Sequence, residues 1–391
     1  MAELLSFLIL ISAGLFLSEL FKKFHLPYVI ALILTGIIIG PFALNILVVD
    51  ETIDFLGSIG LVFLMFMAGL EIKLSSFRKL VGGAAKFSIF NGIFPMIVGF
   101  MVASYLGYDL VGSLMLGIIF VSSSIAIVIP VLEAQGLLKV KLGRLIVSGT
   151  ILEDVFSLVL LSIFLQMMAP TTEIPLYLFY MILAISLYSL RVFIPKAREL
   201  FKKFHGDGKD LFEEEVRFIF VVMIATVVFF ELLGLHAIIA GFFTGLVLSE
   251  SIKSEMLIKK MHALSYGLFI PIFFIIIGAE MDIGVFFAGG EALTVILIIV
   301  AASVFSKFFG GFLGGRANGF TPKESVIAGA ATIPQLSTTL AVAFVGREMG
   351  LIDDILITAM IVLSIATTFC GPILVKYLTE PMTGREAPEP H

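Results

Sequence analysis

Residues 143–168 read GRLIVSGTILEDVFSLVLLSIFLQMM, an apolar run of helical length with two adjacent carboxylates, Glu153 and Asp154, in its middle. A helix rises about 1.5 Å per residue, so the stretch from Arg144 to Asp154 places the pair roughly 15 Å deep, near the centre of a hydrocarbon layer about 30 Å thick. Carboxylates at that depth are not packing residues. Insertion scales put one acidic group at a helix centre at about 2.5–3.5 kcal/mol, so such groups face a cavity or a partner and mark an ion or proton path.

The surrounding composition fits that setting. Of 391 residues, 59% are hydrophobic and only 14% charged, with a mean hydropathy of +1.13, which excludes a soluble globular domain. The long apolar runs suit helices better than barrel strands, which alternate in shorter segments, so the expected class is an all-α polytopic membrane protein. Apolar residues begin at position 3 without a cleavable-signal pattern, which makes the first run a retained span. Cys370 stands alone and excludes a disulfide framework or a cysteine metal cluster. No cofactor and no nucleic-acid partner is expected; the expected surroundings are the lipid bilayer.

Cutting at polar, Gly- and Pro-bearing breaks yields about thirteen segments: 3–20, 27–44, 53–71, 84–106, 110–133, 143–168, 175–195, 215–233, 235–250, 261–282, 291–314, 323–346 and 353–377. With this division, all but Arg347 and Lys307 of the 25 Lys and Arg fall on alternate loops that share one face. The positive-inside rule makes that face cytoplasmic, with the N-terminus outside, the C-terminus inside and the plasma membrane as location.

The two halves repeat. HLPYVIALILTGIIIG (25–40) resembles GLHAIIAGFFTGLVLS (234–249), with Thr35-Gly36 and Thr244-Gly245 separated by 209 positions. Glu71, after FLMFMAGL, and Glu280, after FFIIIGA, are again 209 apart. The third and tenth segments run in opposite directions, so two inverted six-helix repeats are expected, joined by a connector helix, as in many secondary transporters. The same offset relates Ser123 to Thr332. Ser122-Ser123-Ser124 interrupts the fifth segment, with Pro130 beyond, and Thr332-Ile333-Pro334-Gln335 interrupts the twelfth. Proline removes a backbone donor and clustered hydroxyls satisfy freed carbonyls, which predicts two broken helices crossing at the midplane.

Lys307 is the sole basic residue inside a span, and it lies as far from Arg316 as Glu153 lies from Arg144. A lone ammonium there is expensive, and pairing with Glu153 is the cheapest remedy. Asp154 is then left without a cation partner, because adjacent helical residues point about 100° apart. An unpaired intramembrane carboxylate has two charge-neutral states, bound to a proton or to a monovalent cation, and their mutual exclusion couples two fluxes. Hydroxyls and freed carbonyls at the crossing suit a hard cation such as Na⁺ or K⁺. Glu71 and Glu280 read as helix-end anchors, and Asn91 with Pro95 reads as a satisfied polar contact and a kink.

Together, FLMFMAGLEIKL (63–74), VSSSIAIVIPVLEAQGLLKVKLGRLIVSGTILEDV (121–155), LFIPIFFIIIGAEMDI (268–283) and the Lys307 helix resemble the monovalent cation:proton antiporter superfamily, in particular its branch of Kef-type potassium and Nap-type sodium exchangers. The resemblance covers essentially the whole chain. It implies a transporter domain over 1–378, with scaffold helices within 1–71 and 215–282, core helices within 84–168 and 291–377, a connector at 175–195, and elevator-like alternating access in a homodimer. Residues 379–391 are expected as a disordered tail. Asp154 matches the ion- and proton-binding aspartate, the site of the monovalent cation; Glu153 matches a position that is Asp in electrogenic members, Asn in many electroneutral ones and Gln in Kef-type ones. Lys307 matches the lysine that pairs with it. Ser123, Ser124 and Thr150 are expected beside Asp154 and Glu153, and Ser122, Thr332, Pro334 and Gln335 at the crossing. The acid with a lysine favours electrogenic Na⁺/H⁺ exchange, with K⁺/H⁺ exchange or a Kef-like potassium efflux system as the alternative; Glu in place of Asp departs from the family pattern, and if its longer side chain locks the salt bridge, only Asp154 carries cargo and exchange is electroneutral. A channel of the Kef kind is a further class. An intramembrane hydrolase fits poorly, since there is no HExxH and adjacent acids on one helix make no facing dyad.

Overall fold

The computed structural model describes residues 2–23, 27–72, 81–168, 176–205, 211–233, 235–252, 255–281, 284 and 290–383. These residues form helices and connections, with no strand among them. In chain order the helices are α1 (Ala2–Lys22), α2 (Tyr28–Ile39), α3 (Glu51–Glu71) and α4, which runs as Val81–Ser88, a π-helical turn Ile89–Ile93, and Phe94–Tyr105. There follow α5 (Leu110–Val121), α6 (Ile125–Ala134), α7 (Lys141–Met168), α8 (Leu176–His205), α9 (Leu211–Leu232) and α10 (Ala237–Ser251). The helix α11 comprises Glu255–Leu264, a second π turn Ser265–Phe269, and Ile270–Ala279; the last are α12 (Glu291–Ala317), α13 (Pro322–Ala331), α14 (Ser337–Glu348) and α15 (Asp354–Thr383).

Among the described residues, eight stretches are long and apolar enough to cross a membrane, and Tyr28–Ile39, Tyr180–Phe193 and Ala237–Ser249 are shorter apolar helices. The expected fifth and twelfth segments are each broken in two: the backbone leaves the helix at Ser122–Ser124 between α5 and α6 and at Ile333–Leu336 between α13 and α14. One boundary differs in kind from expectation. Residues 379–383 belong to α15 rather than to a tail, because the Thr379 hydroxyl donates to Gln135 Oε1 at 2.7 Å and ties the helix end to the turn after α6. Residues 384–391 lie outside the described residues.

The chain divides into two compact units, 1–78 with 162–280 and 79–161 with 281–391. In the first, α2 packs on α11 and α10 on α3 through glycines. A methyl group at Gly36 would lie 1.9 Å from the Ile275 carbonyl oxygen, and one at Gly245 would lie 2.0 Å from that of Phe66. Gly278 meets the Ile33 carbonyl at 2.0 Å and Gly69 meets that of Phe242 at 2.1 Å in the same way. All four distances are far inside contact, so only glycine permits these approaches. Each contact has its counterpart 209 positions away: Gly36 and Gly245, Ile275 and Phe66, Gly278 and Gly69, Phe242 and Ile33. Thr35 and Thr244 repeat the pattern, donating to the Ala31 and Ala240 carbonyls at 2.8 and 2.7 Å.

The second unit holds both breaks. They meet directly: the Ser124 amide donates to the Pro334 carbonyl at 2.7 Å, and the Ser123 hydroxyl lies 3.0 Å from the Thr332 carbonyl. Ser123 and Thr332 are themselves the repeat-related pair, so the contact falls at the point where the two halves coincide. Thr321 and Glu324 form a capping box with Pro322 at the first turn, which fixes where α13 starts. On the opposite flank, Asp109 caps α5, Asp353 caps α15, and the Tyr108 hydroxyl donates to the Asp353 carboxylate at 3.2 Å.

Candidate ion-binding site

Glu153, Asp154 and Lys307 are all buried where α7 and α12 adjoin the breaks, at 0%, 4% and 0% exposure. The ammonium of Lys307 makes three bonds: to Glu153 Oε2 at 3.0 Å, to the Val121 carbonyl at 2.8 Å and to the Asn91 carbonyl at 3.0 Å. Val121 is the last residue of α5, and the break after it leaves its carbonyl without a helical partner. Asn91 sits in the π turn of α4. Such turns interrupt the regular backbone ladder and are frequent at functional sites. A methyl group at Gly310 of α12 would stand 3.0 Å from the Asn91 Cα, so the glycine lets the lysine helix approach the turn.

Glu153 is bonded on both oxygens. Oε1 accepts from Asn91 Nδ2 at 2.8 Å, and Oε2 accepts from Lys307 and from the Ser123 hydroxyl at 2.9 Å. The Asn91 amide oxygen in turn accepts from Thr332 Oγ1 at 3.3 Å. Asp154 has a different neighbourhood: the Ser122 hydroxyl donates to its Oδ1, the Thr338 side chain interacts with the same carboxyl group, and no ion pair reaches it among the described residues.

The residues named from the sequence therefore separate into groups. Ser122, expected at the crossing, bonds Asp154. Ser123, expected with the ion, bonds Glu153 and the opposite break. Ser124 contributes its backbone to the crossing, while its hydroxyl and that of Thr150 are buried without a partner. Thr150 lies one turn before Asp154 on α7, as Ser157, also buried and unpartnered, lies about one turn after it. Pro334 gives its carbonyl to Ser124. Gln335 is buried with both side-chain polar atoms unpartnered, and its backbone amide donates to Thr367 Oγ1 of α15 at 3.1 Å. Two residues that sequence reasoning left outside the site belong to it. Asn91, which reads from the sequence as a satisfied polar contact, makes that contact with the ion pair itself. Thr338 lies in the first turn of α14, just past the second break.

A buried carboxylate lined by hydroxyls beside a fully bonded acid–lysine pair, at the meeting of two broken helices, defines an ion-transporting membrane protein. The chain belongs to the sodium/hydrogen exchanger transmembrane family, whose profile matches residues 7–380. It is a transporter and not an enzyme, and the ions of this family are substrates, with no cofactor. The chain is 34% identical over 376 residues to the probable Na(+)/H(+) antiporter 3 of Methanocaldococcus jannaschii, covering 95% of each chain. It is 26% identical over 376 residues to a Na(+)/H(+) antiporter of Enterococcus hirae, covering 93% of this chain and 94% of the relative. A similar match, 26% over 370 residues with 95% and 94% covered, is to the Na(+)/H(+)-K(+) antiporter GerN of Bacillus cereus. Among solved structures, that of the sodium proton antiporter MjNhaP1 from Methanocaldococcus jannaschii at pH 8 superposes with a TM-score of 0.72 at 18% identity, covering 98% of this chain and 99% of that one. That likeness is one of fold.

Proposed function

We propose that the protein is a secondary antiporter that exchanges Na⁺ for H⁺ across the cell membrane by alternating access, with Asp154 binding cation and proton in turn. One observation carries this reading: Asp154 is buried and lined by hydroxyls, whereas the carboxylate beside it already has a cation. Proton and Na⁺ each neutralise Asp154, and neither can bind while the other is present. Family membership and the names of the relatives support sodium as the cation. The GerN name, which includes potassium, keeps K⁺ as the second reading.

The unit of 79–161 and 281–391, which contains the whole site, is the moving core; that of 1–78 and 162–280 is the scaffold, and the scaffold mediates a homodimer. The N-terminus lies outside and the C-terminus inside. Elevator-like displacement suits a site whose ligands all come from one unit, because the ligand set travels intact.

The test is proton flux in proteoliposomes with an imposed pH gradient, adding Na⁺, Li⁺ or K⁺, for wild type and Asp154→Asn side by side. Cation-dependent dissipation that falls at least about 100-fold in the variant, roughly 2.7 kcal/mol, is the expected result. An unaffected variant removes Asp154 from the transport step, and activity with K⁺ alone selects the second reading.

A further inference from the structure

Resting on the antiport reading above, we propose that Ser157 is a further cation-binding residue: its hydroxyl, one helical turn past the acids of α7, supplies an oxygen to the monovalent cation held by Asp154. Thr150 is among the residues that the sequence places beside Asp154; Ser157 is not.

Ser157 stands four positions after Glu153 and three after Asp154, and Thr150 stands three and four positions before them. Residues at these spacings share one face of a helix. The two acids are thus bracketed, a turn to each side, by two hydroxyls that are buried at 0% exposure without a partner. One turn further out in each direction the same face is closed by Ile146 and Leu161, both also at 0%. The missing partner sets Ser157 apart from other helical hydroxyls of this chain. A serine or threonine inside a helix can satisfy its hydroxyl on the carbonyl four residues before it. Thr35, Thr226, Thr244, Thr367 and Thr379 all do so, at 2.6–2.9 Å. The same bond, to the Glu153 carbonyl, is open to Ser157, and its side chain does not take it. Buried polar groups are otherwise paired, so a hydroxyl held in this way marks a guest. Cβ atoms three positions apart on a helix are about 5–6 Å apart, and for side chains as short as Ser and Asp one cation fits between the two oxygens. Ser122 and Thr338 reach Asp154 from the end of α5 and the start of α14. Ser157 adds an uncharged oxygen from α7 itself, which suits a hard monovalent cation that exchanges its water for protein oxygens.

The test measures Na⁺-driven proton flux in proteoliposomes, and thermal unfolding in detergent over a range of Na⁺ concentrations, for wild type, Ser157→Ala, Ser157→Cys and Ser157→Thr. Ser157→Ala removes the oxygen, and Ser157→Cys replaces it with a softer sulfur at nearly the same volume. Both are expected to raise the apparent sodium KM about 5-fold with kcat within about 2-fold of wild type, the pattern of a lost binding contact. The Na⁺ concentration that raises the melting temperature should increase by the same factor. Ser157→Thr keeps the hydroxyl and is expected to retain the wild-type sodium KM. Ser157→Cys carries the test if Ser157→Ala does not fold. A wild-type sodium KM in Ser157→Ala and Ser157→Cys overturns the assignment, as does a lower kcat or melting temperature at unchanged KM, the mark of a hydroxyl that serves packing or a structural water. Absence of cation-dependent flux in wild type is the failure of the antiport reading itself, and the sodium dependence of the melting temperature then still decides on Ser157.

Discussion

Glu153 accepts from an amide, an ammonium and the Ser123 hydroxyl, whereas Asp154 accepts from the Ser122 hydroxyl and has no ion pair among the described residues, and this contrast supports the proposal that the two adjacent acids do different work. Lys307→Met should leave a buried carboxylate and two backbone carbonyls without their cation, a loss of about 3–5 kcal/mol. The double variant Glu153→Gln with Lys307→Met should recover much of it, since removing both charges of a buried pair is often nearly neutral. Thermal unfolding in detergent reads both. Ser122→Ala removes one charge-assisted bond from Asp154, about 1.5–3 kcal/mol, and should raise the apparent sodium KM roughly tenfold or more while Lys307→Met weakens the fold. The acids, the lysine and the Ser and Pro breaks were legible in the sequence because each is costly inside an apolar run and therefore stands out. Asn91 was not, because a π turn has no residue signature and a buried amide is satisfied as readily by packing contacts as by a site. Gln335 lies in the second break, as its place in the sequence predicts, and it is its backbone amide that bonds Thr367.

At the level of helices, hydropathy revealed the number of segments, but ends shifted where capping or side-chain contacts decide them. The second segment closes at Ile39 rather than 44, and the last continues to Thr383 because Thr379 reaches Gln135. The repeat was legible from Thr-Gly pairs and glutamates; what those glycines do was not, since their partners are backbone carbonyls. Gly36→Ala or Gly245→Ala should force α2 from α11 or α10 from α3 and sharply reduce the yield of folded protein by size-exclusion chromatography. Gly82→Ala, with nothing within 4 Å of the added methyl, should be neutral or stabilising by up to about 1 kcal/mol. The Tyr108 bond to Asp353 behaves as a pH-dependent tie between loops. Burial, and then the Asp353 carboxylate beside it, raise the Tyr108 hydroxyl above the ordinary tyrosine range. Its contribution is therefore complete below about pH 10, where unfolded tyrosine begins to ionise, and is lost as pH rises through the elevated folded value. The melting-temperature gap between wild type and Tyr108→Phe should close on that upward path and stay constant below it.

For the whole molecule, the exchange proposed at Asp154 would make proton and cation compete by linkage. The apparent sodium KM should rise about tenfold for each unit of pH lowered in the range where Asp154 is protonated, and sodium should weaken proton binding by the same factor, measured as proton release on adding Na⁺ to detergent-solubilised protein. The glycine contacts of the first unit carry another consequence, for how the chain is made. Every one takes its glycine from one half of the sequence and its carbonyl from the other. When the ribosome has finished α2 and α3, their partners still lie ahead, Ile275 239 residues beyond Gly36 and Gly245 179 residues beyond Phe66, roughly 10–50 s of translation. The first half must wait in the bilayer with its closest-packing surfaces unoccupied, and neither half is a folding unit. Two fragments encoded separately, cut between α8 and α9, should therefore yield stable protein only when produced in the same cell, each acting as the template the other lacks.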